Sequence, residues 1–172
     1  MIVIMAGLPG TGKSTLCRTL AEITGGVVLE KDVIRAALFP PERVEYSAEQ
    51  DDFCQDLMIR VAGYLLAKDS NVVIFFDGRT FSRRYQMQAV IDCAEGLRTP
   101  WRVIECVCEE ETARKRLVQD SAQGRHPAAN RSFALYLRLK AEFEAIAFPK
   151  LVVDTERALE EYVTQAREFI LA

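Results

Sequence analysis

The chain has 172 residues, 49% of them hydrophobic and 27% charged, and a formal net charge of −3. This composition excludes a disordered chain and a collagen-like repeat, and the acidic balance excludes the global positive field that concentrates a domain on nucleic acid. The length fits a single domain over residues 1–172, and with no apolar run near ~20 residues and no charged n-region at the start, the chain is expected neither to span a membrane nor to be secreted.

The run IVIMA (2–6) is short, apolar and stopped by Gly7, which predicts a strand. From Lys13 the spacing changes to Leu16, Leu20 and Ile23, the stripe of a helix that ends at Gly25 and Gly26. Between them, Gly7-Leu8-Pro9-Gly10-Thr11-Gly12-Lys13-Ser14 matches G-x-x-x-x-G-K-[ST] in the strand–loop–helix setting that the motif requires. Glycines let backbone N–H groups converge on a phosphate chain, and the helix N-terminus adds partial positive charge. Lys13 is expected to reach the β and γ phosphates, and Ser14 to offer its hydroxyl to Mg²⁺. Gly7, Pro9, Gly10, Thr11, Gly12, Lys13, Ser14 and Thr15 are therefore the candidate nucleotide-binding residues.

VVL (27–29) predicts the second strand, followed by Asp32 and a helix near 33–38. The i, i+3 spacing of Asp32 and Arg35 puts a carboxylate and a guanidinium on one side of that helix. A carboxylate there can orient a nucleophilic hydroxyl and take its proton, or cap the helix; the arginine can hold phosphoryl oxygens or an anionic acceptor. A helix over 48–68 could wall the acceptor pocket, and NVVIFF (71–76) predicts the third strand. Asp77 ends that strand beside the phosphate loop, where a carboxylate can hold Mg²⁺ directly or through water. Arg79, Arg83 and Arg84 follow, with a helix over 82–94; Arg79 and Arg83 join Arg35 as candidate substrate-binding residues.

WRVIECV (101–107) is the fourth strand. The five cysteines (Cys17, Cys54, Cys93, Cys106, Cys108) are odd in number and form no C-x-x-C pair, which argues against disulfides and structural zinc and points to a reducing cytoplasm. A helix over 109–120 carries Arg114 and Arg116, a polar loop over 121–130 carries Arg125 and His126, and a helix over 131–146 begins at Arg131. LVV (151–153) is the fifth strand, after which Asp154 and Thr155 are expected to cap a last helix over 156–171. Nearly continuous apolar strands alternating with helices imply an α/β fold, a parallel sheet covered on both faces.

The phosphate loop GLPGTGKST, the Asp-x-x-Arg after the second strand, Asp-Gly-Arg-Thr after the third, the arginine-bearing helix after the fourth and Val153-Asp154-Thr155 after the fifth carry a resemblance. Together they resemble the P-loop kinase family that contains bacteriophage polynucleotide 5'-kinase, zeta toxins and chloramphenicol phosphotransferase, small kinases with an AAA domain. The resemblance implies a three-layer P-loop NTPase fold with a five-stranded parallel sheet in the order 2-3-1-4-5. It also implies ATP with Mg²⁺ as donor, Asp32 as general base, Arg35 on the acceptor phosphate or the transferring group, and a mobile lid at about 118–131 whose arginines close over the phosphates. Arg116 is the favoured lid arginine and Arg125 the second; Asp120 stands where the family often carries a further arginine. The acceptor is expected to be a hydroxyl of a small molecule. A polynucleotide 5'-hydroxyl is the alternative, and an ATP-hydrolysing regulatory or partner protein is a second one.

Overall fold

A computed structural model of the chain describes residues 1–123 and 132–172. Five strands, β1 (Ile2–Ala6), β2 (Val27–Glu30), β3 (Ile74–Asp77), β4 (Trp101–Val107) and β5 (Leu151–Asp154), form one sheet in the order β2-β3-β1-β4-β5. Every neighbouring pair is parallel, with Ile2 beside Ile74 and Trp101, Glu30 beside Asp77, and Val107 beside Asp154. β1 is central and all five of its residues are buried, which is why it reads as an unbroken apolar run and not as an alternating one.

The two-residue period of β1 divides the core between the two faces of the sheet. Ile2, Ile4 and Ala6 pack with Met58, Ala62 and Leu66 of α3 (Ala48–Lys68) and with Met87, Val90 and Ile91 of α4 (Arg84–Gly96). On the other side Val3 and Met5 meet Leu16 and Leu20 of α1 (Lys13–Thr24) and Val163, Ala166 and Ile170 of α7 (Leu159–Leu171). A third, smaller cluster joins Ala113 and Leu117 of α5 (Glu110–Gln123) to Tyr136 of α6 (Phe133–Glu142), with Leu8 of the phosphate loop packed against it. The α5–α6 pair is thus anchored on that loop, not on the sheet.

α2 (Lys31–Leu38) starts two residues earlier than its periodicity predicts, because the chain turns directly from β2 into the helix. β3 is shorter than the run 71–76, although Val73 still accepts a hydrogen bond from the Val27 N–H at 2.8 Å. α5 continues to Gln123, so residues 118–123 of the expected lid are helical, while the rest of that segment, including Arg125, His126 and Arg131, lies outside the described residues. α6 stops at Glu142, short of 146. α7 begins at Leu159 with Ala158 at its N-cap, so Asp154 and Thr155 do not cap it. Asp154 instead accepts from the Glu156 N–H at 3.0 Å in the turn, and Thr155 is drawn to the phosphate loop. No helix among the described residues is long and apolar enough to cross a membrane.

Candidate active site

The loop from Gly7 to Gly12 leaves the carboxyl end of the central strand and enters α1. Gly7 adopts φ +130°, and a Cβ there would stand 2.3 Å from the Cys106 carbonyl oxygen, so only glycine lets the loop lie against β4. The Gly7 N–H donates to the Thr80 carbonyl at 3.1 Å, which ties the loop to the segment after β3. Lys13 curls back and its Nζ donates to the Gly7 and Leu8 carbonyls at 2.7 and 2.8 Å. The other side of the loop is braced by Arg116, whose guanidinium donates to Thr155 Oγ1 at 2.9 Å, to the Thr155 carbonyl at 2.8 Å and, more weakly, to the Gly10 carbonyl at 3.4 Å. Thr155 Oγ1 donates in turn to the Thr11 carbonyl at 3.0 Å.

A cleft of about 740 Å³ opens beside the loop and is lined by Lys13, Ser14, Asp32, Arg35, Arg79 and Arg83. Pro9 also lines it; Arg116 lies outside it, behind the loop. Asp32 does not cap α2, whose N-cap is Glu30 and has no side-chain capping bond. Its Oδ1 accepts from Arg35 at 2.5 Å and lies 3.4 Å from Lys31 Nζ. Its Oδ2 carries no hydrogen bond or ion pair among the described residues.

The floor of the cleft is an ionic network that sequence reasoning missed. Asp51, in the first turn of α3, takes both Lys31, at 2.7 Å, and Arg35. Asp52 accepts from Arg79 at 2.5 Å, and Gln55 accepts from the same guanidinium at 2.9 Å. Three buried cations, Lys31, Arg35 and Arg79, are thus matched by Asp32, Asp51 and Asp52. Burial holds the Lys31 ammonium down at about 8; Arg35 and Arg79 add to the lowering, and Asp32 opposes it. At the rim Arg83 pairs with Glu142 and Glu144, at 3.1 and 3.3 Å. Arg138 of α6 lines the same cleft and has no ion pair with a described residue. Asp51 in the first turn of α3, with Asp52 beside it, reads from sequence as an ordinary complement to the helix dipole; nothing local marks the pair as partners for residues 16 to 27 positions away.

Asp77 is fully buried at the end of β3, and neither carboxylate oxygen has a hydrogen-bond partner. Gly78 follows with φ +83°, where a Cβ would stand 2.9 Å from the Lys31 N, so the turn after Asp77 can press against the start of α2. No group of three or more His, Cys, Asp or Glu that could cage a metal occurs among the described residues. Mg²⁺ needs no such cage, since it is usually held by one or two carboxylates together with substrate phosphates and water. The unpartnered Asp77 carboxylate, at the end of the strand beside β1, is the kind of oxygen ligand that donor set uses.

The profile of the AAA domain family (AAA_33) matches residues 2–146, and the chain belongs to that family. No curated protein matches it in sequence. Among solved structures it is similar to an APS kinase from Mycobacterium tuberculosis in complex with AMPPNP and APS, at 15% identity and TM-score 0.73, covering 99% of this chain and 97% of that one. A gluconokinase from Sinorhizobium meliloti is 18% identical, with TM-score 0.67 over 99% of this chain and 90% of its own. Kti12 of Chaetomium thermophilum, in complex with ADP-AlF3, is 15% identical with TM-score 0.74 over 99% and 97%. At these identities the likeness shows the fold, that of P-loop kinases, and no more.

Proposed function

We propose that the protein is a kinase that transfers the γ-phosphoryl group of ATP to a hydroxyl of a small-molecule acceptor. The observation that carries this reading is the position of Asp32, which lines the same cleft as Lys13 and Ser14, with Oδ1 accepting from Arg35 and Oδ2 taking no hydrogen bond from a described residue. Arg35 and Lys31 fix Oδ1, so Oδ2 is the atom that accepts the proton of the acceptor hydroxyl. The deprotonating oxygen forms the new bond to the γ-phosphorus as the bond to the β–γ bridging oxygen breaks, and ADP leaves with that electron pair. Lys13 and the loop N–H groups hold the phosphate chain, and Arg35, nearly fully buried, orients the reacting groups. Ser14 and Asp77 would hold Mg²⁺, which supplies charge compensation for the phosphate oxygens when bound.

Arg116 and Arg125 belong to the same proposal as the arginines that meet the transferring group. Arg116 would exchange its bonds to Thr155 for phosphate oxygens as the α5–α6 pair closes. The resemblance to small-molecule and polynucleotide kinases supports the reaction class, and the cleft's matched charges favour a small acceptor over a polyanionic strand. A screen of small hydroxyl compounds and 5'-hydroxyl oligonucleotides with γ-labelled ATP tests it. The expected outcome is label transferred to a small acceptor. Label found on oligonucleotide ends supports the alternative acceptor, and inorganic phosphate as the sole product overturns the kinase reading.

A further inference from the structure

Two buried side chains at neighbouring strand ends share an unusual feature: three carboxylate oxygens with no hydrogen-bond partner. They are both oxygens of Asp77 and Oε1 of Glu30. Glu30 and Asp77 are register partners on the adjacent parallel strands β2 and β3, so their side chains leave the sheet on the same face. A buried carboxylate without donors is costly unless a cation stands beside it, and two side by side add repulsion to that cost.

Arg18 answers that need only in part. Arg18 of α1 donates to Glu30 Oε2 at 3.1 Å, but its own side chain is 59% exposed and it leaves Oε1 without a partner. Arg18 lies four residues after Ser14 on the same face of α1. Ser14, one turn nearer the phosphate loop, shares the face of α1 that carries Arg18 to Glu30. Two carboxylates, one fully buried and one nine-tenths buried, together with the Ser14 hydroxyl at the loop end of α1, offer oxygen donors of the kind Mg²⁺ takes.

We propose that Glu30 is the second carboxylate of the divalent-cation site, acting with Asp77 and Ser14 on the Mg²⁺ that accompanies the nucleotide. This rests on the nucleotide-site reading above. Glu30 was not among the residues the sequence marks, because an acid ending a strand in Leu29-Glu30-Lys31 has no motif around it. Arg18 acts as its counter-ion while the metal is absent, and α2 follows Glu30 without a break, so the same carboxylate sits two residues from Asp32 and links the metal to the acceptor side.

The test is Mn²⁺ binding to the ADP-loaded protein, measured by electron paramagnetic resonance or calorimetry, with no turnover required. Glu30→Gln is expected to weaken Mn²⁺ binding by about tenfold while ADP affinity measured in chelator stays within about twofold of wild type. Glu30→Asp, which keeps the charge one methylene shorter, should fall between the two, and Arg18→Ala should leave Mn²⁺ binding at or above the wild-type level. A Glu30→Gln isotherm that superimposes on wild type overturns the proposal, as does an equal loss of Mn²⁺ and metal-free ADP binding, which would mark a structural role. If the wild-type ADP complex holds no Mn²⁺ but binds ADP, this proposal fails while the nucleotide site stands; if it binds neither, both fail.

Discussion

The two sides of the cleft are built from different materials. On the donor side the phosphate loop is shaped by backbone, with Gly7, Gly10 and Gly12 in positive-φ conformations and with carbonyls that hold Lys13 and receive Arg116 and Thr155. On the other side the surface is made of side chains, with Lys31 and Arg35 of α2 and Arg79 of the turn after β3 matched against Asp32 of α2 and Asp51 and Asp52 of α3. A backbone device binds whatever presents phosphates; a side-chain device can be re-specified one residue at a time. Under the proposed reaction, the donor side would carry the common chemistry and the acceptor side the identity of the substrate.

Lys13→Ala should produce the largest effect and should strike the donor side alone. Transfer is expected to fall by at least ~10³-fold through loss of charge on the phosphates, with little change in melting temperature, because Lys13 supports no part of the apolar core. Steady-state rates set beside thermal unfolding check it; a folded variant with unchanged turnover would remove the loop from the mechanism.

On the acceptor side the corresponding break is Asp51→Asn. Losing one partner of a buried pair costs about 3–5 kcal/mol when the charges are fully enclosed, and the half-open Asp51 brings this down to roughly 1–2 kcal/mol. The variant should melt lower and bind acceptor several-fold more weakly, with ATP affinity unchanged. Equal losses on both substrates would show that the two sides are not independent.

Asp77→Asn sharpens the comparison from beneath the loop. It should raise the Mg²⁺ concentration for half-maximal activity several-fold, because a neutral amide is a poorer ligand for a hard cation. A Mg²⁺ titration that overlays wild type would return Asp77 to the turn it forms with Gly78.

The smallest effect concerns the cysteines behind the donor side. Burial pushes the Cys106 thiol up to about 12 and raises Cys17 further in the same direction, with Asp77 adding to both. At pH 9 both stay protonated where an ordinary thiol is largely thiolate. Iodoacetamide should therefore label Cys93 and Cys108, which are partly exposed, well before Cys17 and Cys106 in the native protein. Mass spectrometry of the labelled sites reads this directly.

What the sequence made legible follows the same division. The phosphate loop is contiguous, and both its glycines and its setting between an apolar strand and a helix are local features. Asp77 is readable because it ends a strand and Asp32 because it closely follows one, since an α/β sheet gathers its strand ends on one edge, and Arg35 follows from its i, i+3 spacing to Asp32. Asp51 and Asp52 are not readable, since their partners come from α2 and from the turn after β3 and only the fold brings them together. From sequence Thr155 reads as a helix cap, because a threonine before a helical run usually is one; here the helix starts later and the hydroxyl braces the loop instead.

In the proposed reaction Asp32 is the base that joins the two sides. With a phosphate-accepting compound in hand, kcat and ATP affinity of Asp32→Asn should be measured together. The amide keeps the size of the side chain but cannot take a proton, so kcat should fall by about 10²–10⁴-fold while the ATP dissociation constant stays within a few-fold. A kcat within a few-fold of wild type would contradict the central claim.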